Sequence, residues 1–144
     1  MAPISTIPYR TFWWSMPIVL VLSGLDNSAV IEVNFLNLYF VATSQQVGIV
    51  SSTIFGVLGL IYWKARHIKL VNWITTIHIV FTLMSFISIL CIALFLSKNG
   101  SQQDFETYRL INQLLLLIIW IATLSQLIFI INLIYSVMRN DPKK

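Results

Sequence analysis

Two stretches of this chain lack any charged side chain: residues 70–97, between Lys69 and Lys98, and residues 110–138, between Arg109 and Arg139. A helix needs about 20 residues, rising ~1.5 Å each, to cross a hydrocarbon core ~30 Å thick. Both stretches exceed that length, so each reads as a membrane span. Composition points the same way. Hydrophobic residues make up 58% of the 144, charged ones only 10%, and the mean hydropathy is +0.84. A water-soluble domain carries about 25% charged residues and could not cover its surface without them. The bilayer is the solvent for which this chain is composed.

A third uncharged run lies between Glu32 and Lys64, with its most apolar part over residues 47–63. A fourth, residues 11–25, contains Pro17 and reaches only about 22 Å unless it continues through Asn27 and Ser28. A signal peptide with Arg10 as its charged region and an interfacial or half-buried helix are the competing readings, and the presence of Met1 favours a span over the first of them. The expectation is an all-α, integral membrane four-helix bundle. It forms a single domain over residues 1–144, with spans near 11–28, 40–63, 70–96 and 108–138. Residues 31–38 alternate in part and carry β-branched side chains, which predicts an extended segment between the first two helices. The run Asn99-Gly100-Ser101-Gln102-Gln103-Asp104 reads as a loop, and Asn140-Asp141-Pro142 as the stop of the last helix.

Orientation follows from the cations. Lys64, Arg66 and Lys69 share one short loop, and Arg139, Lys143 and Lys144 form the tail, whereas residues 26–32 hold no Lys or Arg. Positive loops stay inside, so both termini are expected on the cytoplasmic (or matrix) side and the extended segment outside. Trp13, Trp14, Tyr62, Trp63, Trp73, Tyr108 and Tyr135 fall near span ends, as an interfacial aromatic belt requires. The net charge of +4 is thus a topology signal. No concentrated basic patch is present, so a nucleic-acid partner is not expected. The lone Cys91 cannot form an intrachain disulfide and reads as a small packing residue.

The helix faces are more specific. Ser44, Gly48, Ser52 and Gly56 recur four apart, a small-residue ridge that lets two helix backbones approach closely in lipid. Thr75, His78, Thr82 and Ser85 share one face of the third span, which should turn toward protein. Asn112 and Gln126, two heptads apart, belong on one buried seam of the fourth, while Gln113, Thr123, Ser125 and Asn132 spread around it. Away from the span ends, where Asp26 and Arg109 sit, no span carries Asp, Glu, Lys or Arg, which weakens pump, ion-coupled transporter and voltage-sensor readings. Asp26 and Glu32 read as solvated in the outer loop, and His67 as part of the basic loop. His78 is the one candidate cofactor ligand, since imidazole suits heme iron, but a bis-histidine site needs a second facing imidazole. Ser44 and His78 lie near opposite membrane faces, too far apart for nucleophile and base, so no enzyme is expected.

The order of segments from Leu25 onward resembles the C-terminal part of subunit I of the heme-copper (cytochrome c) oxidases. Ile31-Glu-Val-Asn-Phe-Leu-Asn-Leu-Tyr-Phe-Val41 is similar to the family segment L-D-I-A-L-H-D-T-Y-Y-V. Gly59-Leu-Ile-Tyr-Trp63 resembles the aromatic end of the helix that follows. Trp73-Ile-Thr-Thr-Ile-His-Ile-Val-Phe81 resembles the family K-I-H-F-W helix start, and Asp104-Phe-Glu-Thr-Tyr-Arg-Leu-Ile-Asn112 resembles D-F-E-T-W-N before the last helix. Ser44-Gln45-Gln46 stands where that family has its H-F-H heme ligands, and Leu36-Asn37 where it has a magnesium-binding His-Asp. His78 matches a family histidine that is not a heme ligand. The resemblance thus implies the fold without its metals, in a bacterial cytoplasmic (inner) or mitochondrial inner membrane.

The function expected is a non-catalytic accessory or structural subunit of a larger membrane complex, respiratory by the resemblance, with no cofactor. Its partners would be the lipid bilayer and either other membrane subunits or further copies of itself. Two alternatives stand beside it: a heme- or quinone-binding electron-transfer protein using His78, and a small self-associating transporter or channel.

Overall fold

The computed structural model describes residues 7–25, 30–35, 38–99 and 105–139, with the side chains of residues 97–99 excepted. The elements run α1 (Pro8–Ser23), β1 (Val30–Phe35), β2 (Leu38–Thr43), α2 (Ser44–Lys64), a 3-10 turn (Ala65–His67), α3 (Asn72–Asn99) and α4 (Phe105–Arg139). Three helices are long and apolar enough to cross a membrane: the α2 helix with its 3-10 extension, α3 and α4.

The first helix differs from expectation. With 16 residues it spans about 24 Å, short of a full crossing. It starts at Pro8, where a missing N–H costs nothing, and ends at Gly24, whose N–H bonds back to the Leu20 and Val21 carbonyls. Asn27 and Ser28, through which a longer span would run, lie outside the described residues, as do Gly100–Asp104 of the expected loop and the stop at residues 140–142.

The extended segment is a β-hairpin, so the fold is not purely helical. Its strands are antiparallel, in register from Val30 opposite Thr43 to Phe35 opposite Leu38. Ile31 and Val33 on one face pack over Ala93 of α3 and Leu115 of α4. The alternation of a strand puts Glu32 and Asn34 on the other face. The second strand also corrects the expected start of the second span at residue 40. Helix α2 begins at Ser44, behind a capping box: Thr43 Oγ1 accepts from the Gln46 N–H (3.2 Å), and Gln46 Oε1 accepts from the Thr43 N–H (2.9 Å).

Neighbouring helices run antiparallel. Trp13, Met16 and Ser23 of α1 meet Gly59, Gly56 and Gly48 of α2 in reverse order. Likewise Thr75 and Thr82 of α3 meet Asn132 and Ser125 of α4. Helix α3 is central and touches the other three. Phe12, Phe55, Tyr62, Ile79, Leu90 and Phe129 form the main core where they converge. Tyr62 is therefore a core residue, 1% exposed, and no member of the aromatic belt; Trp14, Trp73 and Tyr135 remain on the surface. Cys91 is exposed on α3 and does not pack inside.

Candidate functional site

The polar side chains of the spans gather into two structures, one dry and one hydrogen-bonded. The small-residue ridge of α2 faces α1. A Cβ added at Gly48 would collide with the Ser23 side chain, and one at Gly59 with the Trp13 indole. At Gly56 it would stand 3.2 Å from the Met16 methyl. Ser44 is fully buried at the end of this ridge and donates to the Ser23 carbonyl (3.1 Å), and Ser52 is buried beside it. Gly59, three residues past Gly56, extends the ridge beyond the four-residue repeat read from sequence.

The second structure is centred on His78. Thr75, His78, Thr82 and Ser85 are all buried. His78 Nδ1 lies 2.9 Å from the Tyr62 hydroxyl, and Nε2 lies 3.3 Å from Gln126 Oε1. An acceptor-only carbonyl fixes the direction of each bond. The Gln126 Nε2 group sits 3.4 Å from the Ala122 carbonyl, which can only accept, so the amide nitrogen faces that side and its oxygen faces His78. His78 Nε2 therefore carries the proton and donates to Gln126. Its Nδ1 is then bare and accepts from Tyr62.

Beyond Gln126 the chain continues, with the two Nε2 hydrogens shared among three acceptors, of which the Ala122 carbonyl is the farthest. Gln126 Nε2 donates to Thr82 Oγ1 (3.1 Å) and to Ser125 Oγ (3.2 Å). Ser125 donates to the Ala122 carbonyl (2.7 Å), which leaves Thr82 to donate to Ser125 (3.0 Å). One turn below, Asn132 makes a second node: its Nδ2 donates to Thr75 Oγ1 (3.0 Å) and its Oδ1 accepts from the Val71 N–H (3.2 Å). That N–H is one of the orphan donors around the start of α3, so the amide also serves as a cap. Ser85 donates to its own helix at the Phe81 carbonyl and takes no part across the seam.

Asn112 and Gln126 do lie on one stripe of α4, yet they serve different partners. Asn112 Oδ1 accepts from the Asn34 N–H (2.9 Å), and its Nδ2 donates to the Asn34 carbonyl (3.2 Å). The carboxamide thus pairs with both backbone groups of one residue, as an adjacent strand would, and ties the hairpin to α4. Beside it the Tyr39 and Tyr108 hydroxyls lie 3.0 Å apart. Tyr62, expected at the interface, and Ser125 and Asn132, expected off the seam, are members of it. Ser125 and Asn132 are seven apart, so a heptad count from either finds the other.

The His78 environment does not fit heme. Both ring nitrogens are engaged, and the ring is fully buried against Phe129 (centroids 4.9 Å apart, planes at 22°) and near Phe12 (5.8 Å). An axial ligand needs a free nitrogen lone pair and open space for the macrocycle. Here the lone pair accepts from Tyr62, and aromatic rings fill the space. Among the described residues no group of three or more His, Cys, Asp or Glu side chains could hold a metal ion.

No family model, curated protein or solved structure matches this chain. The likeness to the oxidase subunit therefore rests on the sequence segments that suggested it.

Proposed function

We propose that this chain is a non-catalytic structural subunit of a larger membrane complex. It would sit in a bacterial cytoplasmic or mitochondrial inner membrane with both termini inside, and the complex would be respiratory in line with the oxidase-like segments. The observation that carries the reading is the closure of the His78 network. The one imidazole at membrane depth spends both nitrogens on Tyr62 and Gln126 and so has no free lone pair for iron.

A second feature supports a partner. Helix α4 has 35 residues and packs on its own chain along a single stripe. Its outer side exposes Leu110, Leu117, Leu124 and Ile131, spaced seven apart. That is the period of a helix-helix seam, which a neighbouring subunit's span would fit.

Purification from native membranes in mild detergent, followed by blue native electrophoresis and mass spectrometry, tests the proposal. Stoichiometric recovery with other membrane subunits, and no Soret band from the isolated chain, is the expected result. A pure homo-oligomer, or a heme spectrum lost on His78→Phe substitution, would overturn it.

A further inference from the structure

The basic end of the bundle holds a cavity that the structural role does not use. Its volume is about 440 Å³, and its lining includes Tyr9, Tyr62, Arg66, Lys69 and Asn72, drawn from α1, α2, the loop after it and the start of α3. Arg66 and Lys69 are exposed there. Arg66 is held in place, with its guanidinium 5.2 Å over the Trp63 ring and its Nε donating to His67 Nε2 at 3.2 Å. Among the described residues the two carboxylates, Glu32 and Glu106, both belong to the hairpin end, on β1 and in the first turn of α4. No acid from the described chain neutralises the cavity.

A second hollow, of about 630 Å³, adjoins it and shares Tyr9. Arg10 stands at its basic end, and Trp13, Trp14 and Pro17 continue its lining along the apolar length of α1. One depression therefore offers cations and an amide, and the next offers an aromatic channel leading toward the hydrocarbon. The channel starts at Tyr9 and Arg10, a ring and a cation of the kind that favour the headgroup level, and runs from there along the tryptophans.

We infer that this end of the protein is a binding site for an anionic phospholipid, its phosphate between Arg66 and Lys69 and one acyl chain along Trp13 and Trp14. Basic pockets between transmembrane helices hold such headgroups by charge and by hydrogen bonds together. A free phosphate would use only the first hollow; the apolar channel beside it selects the lipid.

The test reconstitutes the full chain in phosphatidylcholine bilayers and adds phosphatidylglycerol with brominated acyl chains, which quench nearby tryptophan fluorescence. Brominated phosphatidylcholine serves as the reference. The expected result is a clear preference for the anionic lipid, lowered about fivefold by Arg66→Gln and again by Lys69→Gln, and retained by Arg66→Lys. Removing the same charge elsewhere at that end, with Lys64→Gln and Arg139→Gln, leaves the preference within about twofold. Excess inorganic phosphate leaves it unchanged. Equal losses from both pairs of substitutions would reduce the effect to diffuse surface charge and overturn the site. So would competition by inorganic phosphate, or quenching that does not distinguish the two lipids. Circular dichroism on each single variant confirms that it is folded, and either single variant decides the question by itself.

Discussion

The two helix pairs of this protein are held together by opposite means. Between α1 and α2 the contact is dry and close: glycines at 48, 56 and 59 receive Ser23, Met16 and Trp13. Between α3 and α4 the contact is made of amides and hydroxyls, with Gln126 and Asn132 reaching across to His78, Thr82 and Thr75. Lipid tails are as apolar as leucine, so burial alone does not drive helices together in a membrane. Close backbone approach and interhelical hydrogen bonds are the two remedies. This chain relies mainly on close approach for the first pair, with the single Ser44–Ser23 bond at its end, and on hydrogen bonds for the second, and it joins them at His78, where Phe12, Tyr62 and Phe129 also meet.

That contrast can be broken, and the largest break is expected on the dry side. Leucine at Gly48 runs into the Ser23 side chain, whose Cβ cannot rotate out of the way, so α1 has to move away from α2. Gly48→Leu is expected to cost about 3 kcal/mol or more, read as a loss of monodisperse protein and an earlier midpoint in SDS unfolding. An unchanged midpoint would show that the two helices are not pressed together.

On the polar side the expected effect is smaller. Gln126→Leu leaves the His78 N–H without an acceptor and strips Thr82 of a donor, at about 2 kcal/mol. A cycle with Thr82→Val should recover only about 0.6 kcal/mol of coupling, the usual size for such pairs in membranes. Coupling near zero would mean that the Gln126–Thr82 bond adds nothing to the seam. Next comes Asn112→Leu, which unties both backbone groups of Asn34. It should cost about 1 kcal/mol and speed hydrogen exchange at the Asn34 amide, while α3 and α4 amides keep their protection.

The smallest change sharpens the comparison within the dry pair itself. At Gly56 an added Cβ meets only the flexible methyl of Met16 at 3.2 Å. Gly56→Ala should therefore stay within about 0.5 kcal/mol of the parent, because the gain in helix propensity offsets the crowding. A large loss at Gly56 together with tolerance at Gly48 would reverse the description of that interface.

Some of what the structure adds was written in the sequence in plain form. Thr43-Ser44-Gln45-Gln46 carries the spacing of a capping box and marks the start of α2 four residues later than the apolar run does. Residues 30–35 and 38–43 are two strand-length runs separated by two residues, the spacing of a hairpin. The second run, Leu38-Tyr39-Phe40-Val41-Ala42, is apolar throughout, so it merged with the helix behind it and hid the turn. Other features had no local sign. Tyr62 resembles any aromatic residue at a span end, and only the approach of α3 draws it inside. Asn132 looks like one amide among several until its distance to Thr75 is known.

The sequence by itself determined that hydrocarbon surrounds this protein, because uncharged runs as long as those of α3 and α4 are stable nowhere else. It also determined which faces of α2 and α3 carry small or polar groups, since helical periodicity is a local property of the chain. Only the tertiary structure decided what those faces meet: α1 for the glycine ridge, Tyr62 and Gln126 for His78, and the hairpin edge for Asn112. In a membrane nearly every helix position is apolar, so hydrophobic pattern cannot rank one partner above another. Partner choice rests on steric fit and hydrogen-bond direction, and those exist only once the helices are side by side.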